Sequence, residues 1–418
     1  MKYLSIIILF LFVLLVEVYA YQAVRVYSRK ISIFKSKILK NSYWAATCLT
    51  LLIILSYIII GQSNMGVIID TFLRAFILIN IFSKLTLALF VLIDDGLRVV
   101  KWVFKRIQTP TKAQNLSKQD GGISRSDFLI KTGLVVAAAP VITMSWGIIS
   151  RAHDYRIRRE KIPIPHLPSA FQGLKIAQIS DIHSGSFWNK TAVKGGVEML
   201  MEEKADLVLF TGDLVNNKSS EMQDWGIVFN KISAPLGVYS VLGNHDYGDY
   251  EKWPSIAAKE KNLKDLIKIQ EGMGWKLLKN EHTVIKIDGE KLGIIGVENW
   301  GAAHNFPKYG NLTKAMQGLE VTAVNILLSH DPTHWRAEVL PKFSQIDLTL
   351  SGHTHGMQFG VEVPGFKWSP AEYLYKEWAG LYKDKNQYLY VNRGFGYIGY
   401  PGRIGILPEI TILELQKA

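Results

Sequence analysis

Cysteine is almost missing from this chain: Cys48 is the only one in 418 residues, and it lies in a hydrophobic run. One thiol cannot close an intrachain bridge, so no disulfide framework organises the protein, and a zinc site built from several thiolates is excluded. Acidic residues are scarce, but only in one part. Residues 1–150 hold 17 Lys and Arg against 6 Asp and Glu, which accounts for nearly all of the formal charge of +12. The remainder is close to neutral, so the basic pI does not come from a nucleic-acid-binding surface, and no nucleic-acid partner is expected. No internal repeat is present.

The composition changes near residue 150. Before it, apolar runs alternate with basic loops; after it, residues 151–418 read as an ordinary globular domain large enough for its own core. The apolar runs cover residues 3–19, 44–60, 67–93 and 128–149, and the first three approach the length that spans a bilayer. Glu17 interrupts the first, and Lys131 and Pro140 lie inside the fourth. The first run also has a reading as a cleaved signal, with residues 18–20 as the small-residue site, but the six basic residues that follow favour an uncleaved span. Arg125 to Leu129 resembles a twin-arginine export signal with one arginine missing. Six basic residues follow the first run and seven follow the third, whereas residues 61–64 carry none. The positive-inside rule then puts both basic loops in the cytoplasm and, with four spans, residues 151–418 outside. Arg151, Arg156, Arg158 and Arg159 argue the other way. Asp70 and Arg74, one helical turn apart, are expected to pair, and Lys84 to snorkel or face another helix. Residues 113–126 read as a polar linker, and residues 255–272 as a lysine-rich helix with Ile256, Leu263, Leu266, Ile267 and Ile269 toward a core.

Five short motifs occur in order in the second part: S-D-I-H at 180–183, T-G-D-L at 211–214, G-N-H-D at 243–246, S-H-D at 329–331 and S-G-H-T-H-G at 351–356. Each follows a short apolar stretch with the look of a buried strand, the usual address of a site in an α/β sheet. They offer two carboxylates (Asp181, Asp213), one amide oxygen (Asn244) and four imidazoles (His183, His330, His353, His355). That donor set is enough for two divalent ions, and mixed oxygen and imidazole ligands suit Mn, Fe or Zn rather than calcium. Such a pair activates water and clamps a phosphate for in-line displacement. Asp213 has two carboxylate oxygens and is the natural bridge. Asp181 and His183, two residues apart, point the same way if the strand end stays extended; the same spacing in His353 and His355 allows one metal or two. His245 is free to act on the phosphate or leaving group, with Asp246 orienting its other ring nitrogen. Gly212, Gly243 and Gly352 permit sharp turns at the strand ends. His153, His166, His282, His304 and His334 lack such context. Glu298, Asn299 and Trp300 either line the pocket or pack in the core.

Taken together, the motifs resemble the calcineurin-like metallophosphoesterase superfamily from about residue 174 onward. They are most similar to its membrane-associated bacterial branch, through His353-Thr354-His355-Gly356-Met357-Gln358, Arg393 and the run from Pro401 to Ile410. Met357 departs from the glycine common there. The resemblance implies an α/β fold, a four-layer sandwich of two mixed sheets flanked by helices, here preceded by a helical transmembrane region in a bacterial cell membrane. It implies a metal-dependent phosphoric ester hydrolase acting on a mono- or diester. Asp181, His183, Asp213 and His355 would hold one metal, and Asp213, Asn244, His330 and His353 the other, with His245 and Asp246 as catalytic groups. Membrane lipids and a phosphoester, lipid-linked or from the envelope, are the expected partners. The competing expectation is a membrane sensor, scaffold or transporter whose phosphoesterase domain only binds.

Overall fold

A computed structural model describes residues 2–59, 66–107, 125–302 and 307–418. Most of the predicted linker, residues 61–64 and His304 fall outside them. The chain forms two compact units, Met1–Trp146 and Gly147–Ala418.

The first unit is helical: α1 (Lys2–Ser28), α2 (Ile33–Ile59), α3 (Val67–Ile107), α4 (Arg125–Val136) and α5 (Ala138–Trp146). Four segments, Phe10–Ser28, Ile33–Ile59, Val67–Ile107 and Ser126–Arg151, are long and apolar enough to cross a membrane. The helices outrun the apolar stretches read from the sequence. The 41 residues of α3 span roughly 60 Å, about twice a hydrocarbon core, so its basic end carrying Lys105 and Arg106 projects beyond it. The break between α4 and α5 falls beside Pro140, which has no N–H to continue the helix; the hydroxyl of Ser83 donates to the Ala137 carbonyl there at 2.6 Å. Two ion pairs lie deep in the spans. Lys84 does face another helix: its ammonium donates to Glu17 at 2.5 Å and contacts Thr47 at 2.8 Å. Asp70 pairs with Arg74 as expected.

The second unit contains β1 (Arg156–Ile164), β2 (Lys175–Ile179), α6 (Lys190–Glu202), β3 (Leu207–Phe210), α7 (Gly226–Phe229), β4 (Val238–Ser240), α8 (Ile256–Gly272), β5 (Trp275–Leu277), β6 (Glu281–Ile287), β7 (Glu290–Gly296), β8 (Val324–Leu328), β9 (Leu348–Ser351), β10 (Val361–Val363), β11 (Phe366–Trp368), β12 (Gly380–Asp384), β13 (Gln387–Val391) and β14 (Glu409–Lys417). One sheet runs β1-β14-β2-β3-β4-β5, the other β12-β13-β9-β8-β7-β6, and β10 and β11 form a separate ribbon. Both sheets are mixed: β2 through β5 are parallel while β14 opposes β2, and β13, β9, β8 and β7 are parallel while β12 and β6 run against them.

Alternation along the strands produces the layers. Ile176, Leu207 and Leu209 point into a core shared with Ile294, Ile326, Leu328, Leu348 and Leu350 of the facing sheet. Their neighbours Ala177, Val208 and Phe210 point outward, onto Val193, Val197 and Leu266 of α6 and α8. On the opposite side Ile295, Leu327 and Leu389 meet Leu312, Trp335 and Val339. Helices, sheet, sheet, helices is the four-layer sandwich that the resemblance implied, since strands buried on both faces need covering on each.

Helix α8 keeps part of its predicted face, with Leu266 buried and Ile269 packed on the core. Its buried positions are Asn262, Leu266 and Gln270, whereas Ile256 is exposed. The two amides look like surface residues in the sequence, but both are used inside. Asn262 accepts from the Ser219 N–H at 2.8 Å, and Gln270 accepts from the Ser240 hydroxyl at 2.6 Å.

Candidate metal centre

The parallel strands β2, β3, β4, β8 and β9 all end on one edge, and the five motifs lie just beyond those ends. The backbone there is unusual. Asp181, His183, Asp213, His353 and His355 all have positive φ, between 48° and 71°. This corrects the expectation that Asp181 and His183 sit on an extended strand end. Left-handed backbone costs a non-glycine residue roughly 1–2 kcal/mol, and a cluster of such residues points to a site that the surrounding fold holds in place. Of the three glycines, only Gly212 takes a left-handed turn, at φ 97°. The other two are needed for space: a Cβ on Gly243 would fall 2.2 Å from Asp213 Oδ1, and one on Gly352 would fall 2.1 Å from Asp181 Oδ2.

Two groups of side chains converge. The ligand atoms of Asp181, His183 and His355 lie within 4.8 Å of one another, as do those of Asp213, His330 and His353. The two histidines of the H-x-H motif therefore face different groups. Asp213 Oδ2 lies between the groups, 3.5 Å from His183 Nε2 and 3.1 Å from His330 Nε2. Asn244 joins the second: its Oδ1 is 2.9 Å from His353 Nδ1, which is 3.3 Å from His330 Nε2. Each carboxylate is also fixed by the backbone of a neighbouring motif. The His353 N–H donates to Asp181 at 2.9 Å, and the His245 N–H to Asp213 Oδ1 at 2.9 Å.

The donor set fits divalent cations. Carboxylate oxygens, an amide oxygen and imidazoles alternate around a small buried space, and His183 Nδ1 and His355 Nε2 are buried without a hydrogen-bond partner. A carbonyl only accepts, so the 2.7 Å contact of His330 Nδ1 with the Thr211 carbonyl puts the proton on Nδ1 and turns Nε2 to the site. Burial alone would raise Asp181 and Asp213, but His355 beside the first and His330 beside the second outweigh it and hold both carboxyls below their usual range. Burial likewise opposes a charge on His330, yet Asp213 lifts it to about 10, so a cation must compete with a proton at that nitrogen.

His245 lies against the first group, 5.0 Å from His183 between ring centroids. Its orientation corrects one expectation. The ring is held by the Asn216 carbonyl, 2.8 Å from Nδ1, and not by Asp246. The Asp246 carboxylate instead accepts from the backbone N–H groups of Asp213, Leu214 and Gly243 at 2.8–2.9 Å. It is the knot that ties the second and third motifs together. Burial and the charge on Asp213 push it up to about 7.

Three contacts were not foreseen. Tyr375 presents its hydroxyl to His353 Nε2 at 2.9 Å, and Tyr250 accepts from Asn244 Nδ2 at 2.9 Å. Fully buried Arg403 sets a guanidinium nitrogen 3.2 Å from His355 Nδ1. Arg403 lies in the tail run already singled out, but nothing near either tyrosine marks it. Glu298 and Asn299 are structural: Glu298 accepts from Tyr247 and Asn280, and Asn299 is buried. Trp300 packs against His334, with centroids 4.5 Å apart and the rings tilted by 33°.

Residues 174–357 match the family described as calcineurin-like phosphoesterase, and residues 2–152 match a probable calcineurin-like phosphoesterase transmembrane domain. An uncharacterized metallophosphoesterase, YkuE of Bacillus subtilis, is 30% identical over 60% of this chain and 82% of its own length. A zebrafish transmembrane protein with metallophosphoesterase domain is 29% identical over 65% of this chain, and the match spans only 60% of that protein. The UDP-2,3-diacylglucosamine pyrophosphatase LpxG of Chlamydia trachomatis is 26% identical over 62% of this chain and 89% of its own length.

Proposed function

As the chain belongs to the calcineurin-like phosphoesterase family, membrane-associated and metal-dependent hydrolases of phosphoric esters, we propose that it is a dinuclear phosphoesterase anchored by residues 1–150, with residues 151–418 as its catalytic domain. The observation that carries this is Asp213, whose Oδ2 is within 3.5 Å of an imidazole from each ligand group.

Asp181, His183, Asp213 and His355 would hold one ion, and Asp213, Asn244, His330 and His353 the other; Mn, Fe and Zn suit these donors. When bound, two such ions supply a water acidified enough to attack phosphorus and a positive clamp for the phosphoryl oxygens. Asn244 contributes a neutral ligand, which leaves more positive charge for the substrate. His245, held through Nδ1 by Asn216, has Nε2 to steady the phosphoryl oxygens or protonate the leaving oxygen. Asp246 keeps the loops of Asp213 and Asn244 in register.

The substrate we favour is a lipid-linked or envelope phosphoester, mono- or diester. Support comes from the four apolar helices and from a relative named as a UDP-2,3-diacylglucosamine pyrophosphatase. We place the catalytic domain on the external face because the basic loops follow the first and third spans. Protease added to sealed spheroplasts should then cut the C-terminal domain; full protection there rejects this placement. The activity itself is tested with the full chain in detergent, loaded with Mn, on a chromogenic phosphodiester. Turnover that disappears in Asp213→Asn supports the reading, and a folded, metal-loaded protein without turnover on mono- or diesters overturns it.

A further inference from the structure

The β10–β11 ribbon is built the wrong way round for a surface bathed in water. Val361 pairs with Trp368 and Val363 with Phe366 across it, and cross-strand partners share a face. The remaining pair, Glu362 and Lys367, lies on the other face. The charged ends of that pair are drawn to the protein, although the Lys367 residue itself is exposed. Glu362 accepts from Arg393 at 2.8 Å and from Arg158 at 2.6 Å, and Lys367 donates to the Ala379 carbonyl at 2.5 Å. The apolar face is turned out, with Val363 53% and Phe366 56% exposed. A sheet with one solvated face ordinarily does the reverse. Phe359, Tyr373 and Leu374 extend the exposed apolar surface, and patches of this kind mark contact sites.

The ribbon lies close to the end of the fourth apolar segment. The fourth apolar segment ends at Arg151, and its last turn, Gly147–Arg151, belongs to the second unit. The Gly147 carbonyl accepts from the Arg403 N–H at 3.3 Å, and the next residue, Ile404, bridges Phe359 and accepts from Gly360 N–H at 2.8 Å. A second route agrees: Arg158, which grips Glu362 at the ribbon's root, is seven residues past Arg151, a reach of at most about 25 Å. The same patch adjoins the metal centre. Ser369 at the end of β11 donates to the Gly356 carbonyl at 2.7 Å, one residue past His355, and Leu374 precedes the Tyr375 that touches His353.

We propose that the outer face of the β10–β11 ribbon inserts into the bilayer the chain itself spans, holding the metal centre at the membrane surface. Apolar tips with Tyr and Trp at their margin are what the interface takes up. The inference rests on the membrane helices and not on the catalytic reading.

The test uses the full chain in a Cys48→Ser background, with Phe366→Cys carrying an environment-sensitive fluorophore, in phosphatidylcholine–phosphatidylglycerol vesicles. Val321→Cys is the comparison, being fully exposed and just before the start of β8, at the opposite end of the strands from the site. Nitroxide-bearing lipid should quench the label at 366 at least twofold more than the label at 321, and iodide equilibrated across the membrane should do the opposite. Equal iodide quenching at both positions overturns the proposal. So does shielding of position 366 from both quenchers, which would mean a protein cover. Val363→Cys repeats the measurement should Phe366→Cys perturb the ribbon. Fluorescence reads the contact without any turnover, so its outcome is separate from that of the phosphoesterase assay.

Discussion

Arg403 and His355 meet at 3.2 Å, guanidinium to Nδ1, in a fully buried contact. The arginine also donates to the carbonyls of Arg393, Gly394 and Gly396, so one side chain closes the loop before β14 and fixes the far side of a ligand ring. His355 Nε2 is thereby turned to Asp181, 3.3 Å away. Arg403→Ala leaves the buried carbonyls of Arg393 and Gly396 without this donor, each costing about 1–3 kcal/mol, while Gly394 keeps the Glu409 N–H. The expected result is a lower unfolding midpoint and loss of metal at the Asp181 group. Arg403→Lys, which keeps the charge without the fork, should fall between. Thermal unfolding and metal analysis of the purified variants decide it.

Asp213→Asn should separate the two ligand groups. The amide has one carbonyl oxygen where the carboxylate has two, and Oδ1 is already engaged by the His245 N–H. Bound metal, measured by elemental analysis, should fall from two equivalents to one or fewer. Turnover should drop by about a hundredfold to a thousandfold, the scale on which removal of a transition-state charge stabiliser acts. Chelation of the parent should do the same and be reversed by Mn.

Asp246→Asn distinguishes a knot from a proton relay. The carboxylate receives backbone N–H groups only, so the amide turns one acceptor into a clashing donor and should destabilise the domain by about 1–3 kcal/mol. The pH dependence of residual turnover should keep its shape, because His245 is held by Asn216. A displaced profile with unchanged stability would restore the orienting role.

Acid should weaken the catalytic domain through His153. Burial lowers this imidazole to about 4, against an ordinary value near 6.5. Between those values the unfolded chain binds the proton and the folded one does not. Stability is therefore full above about pH 6.5 and is lost as pH falls toward 4, by roughly 3 kcal/mol. His153→Phe, which suits a ring already beside Phe187 and Tyr397, should flatten that part of the curve of unfolding midpoint against pH.

In the membrane unit, Glu17→Gln should cost about 3 kcal/mol by leaving Lys84 buried without its counter-charge. The double variant Glu17→Gln with Lys84→Met should recover most of it. Unfolding in mixed micelles across the four proteins measures the coupling.

The five motifs were legible because each pairs a ligand with a strand that announces itself by apolar residues, and strand ends are where α/β sheets collect side chains. The spans were legible from length alone. Backbone conformation was not: nothing in Asp181 or His183 marks a left-handed residue, since only the finished fold imposes it. Contacts between distant segments escaped for the same reason. Tyr375 reaches His353 through a tertiary turn, and Glu17 finds Lys84 across 67 positions. The amphipathic reading of residues 255–272 missed Asn262 and Gln270, polar residues that bond inside. Val363 and Phe366, apolar residues that lie outside, drew no reading from the sequence.

Strand β1 lies at the edge of its sheet with β14 as its single partner there, from Arg156 opposite Glu409 to Ile164 opposite Lys417. Between those strands the ribosome must make about 250 residues, so pairing this remote is intrinsically slow to form. The first strand to leave the membrane segment thus waits, unzipped, until the final one is synthesised. Ligands contributed early, such as Asp181, lie just past the end of β2, whose other neighbour is also β14. Assembly of the hydrolase is therefore a late event in biogenesis, and a nascent chain stalled before residue 409 should sit in the membrane with neither a closed sheet nor a working centre.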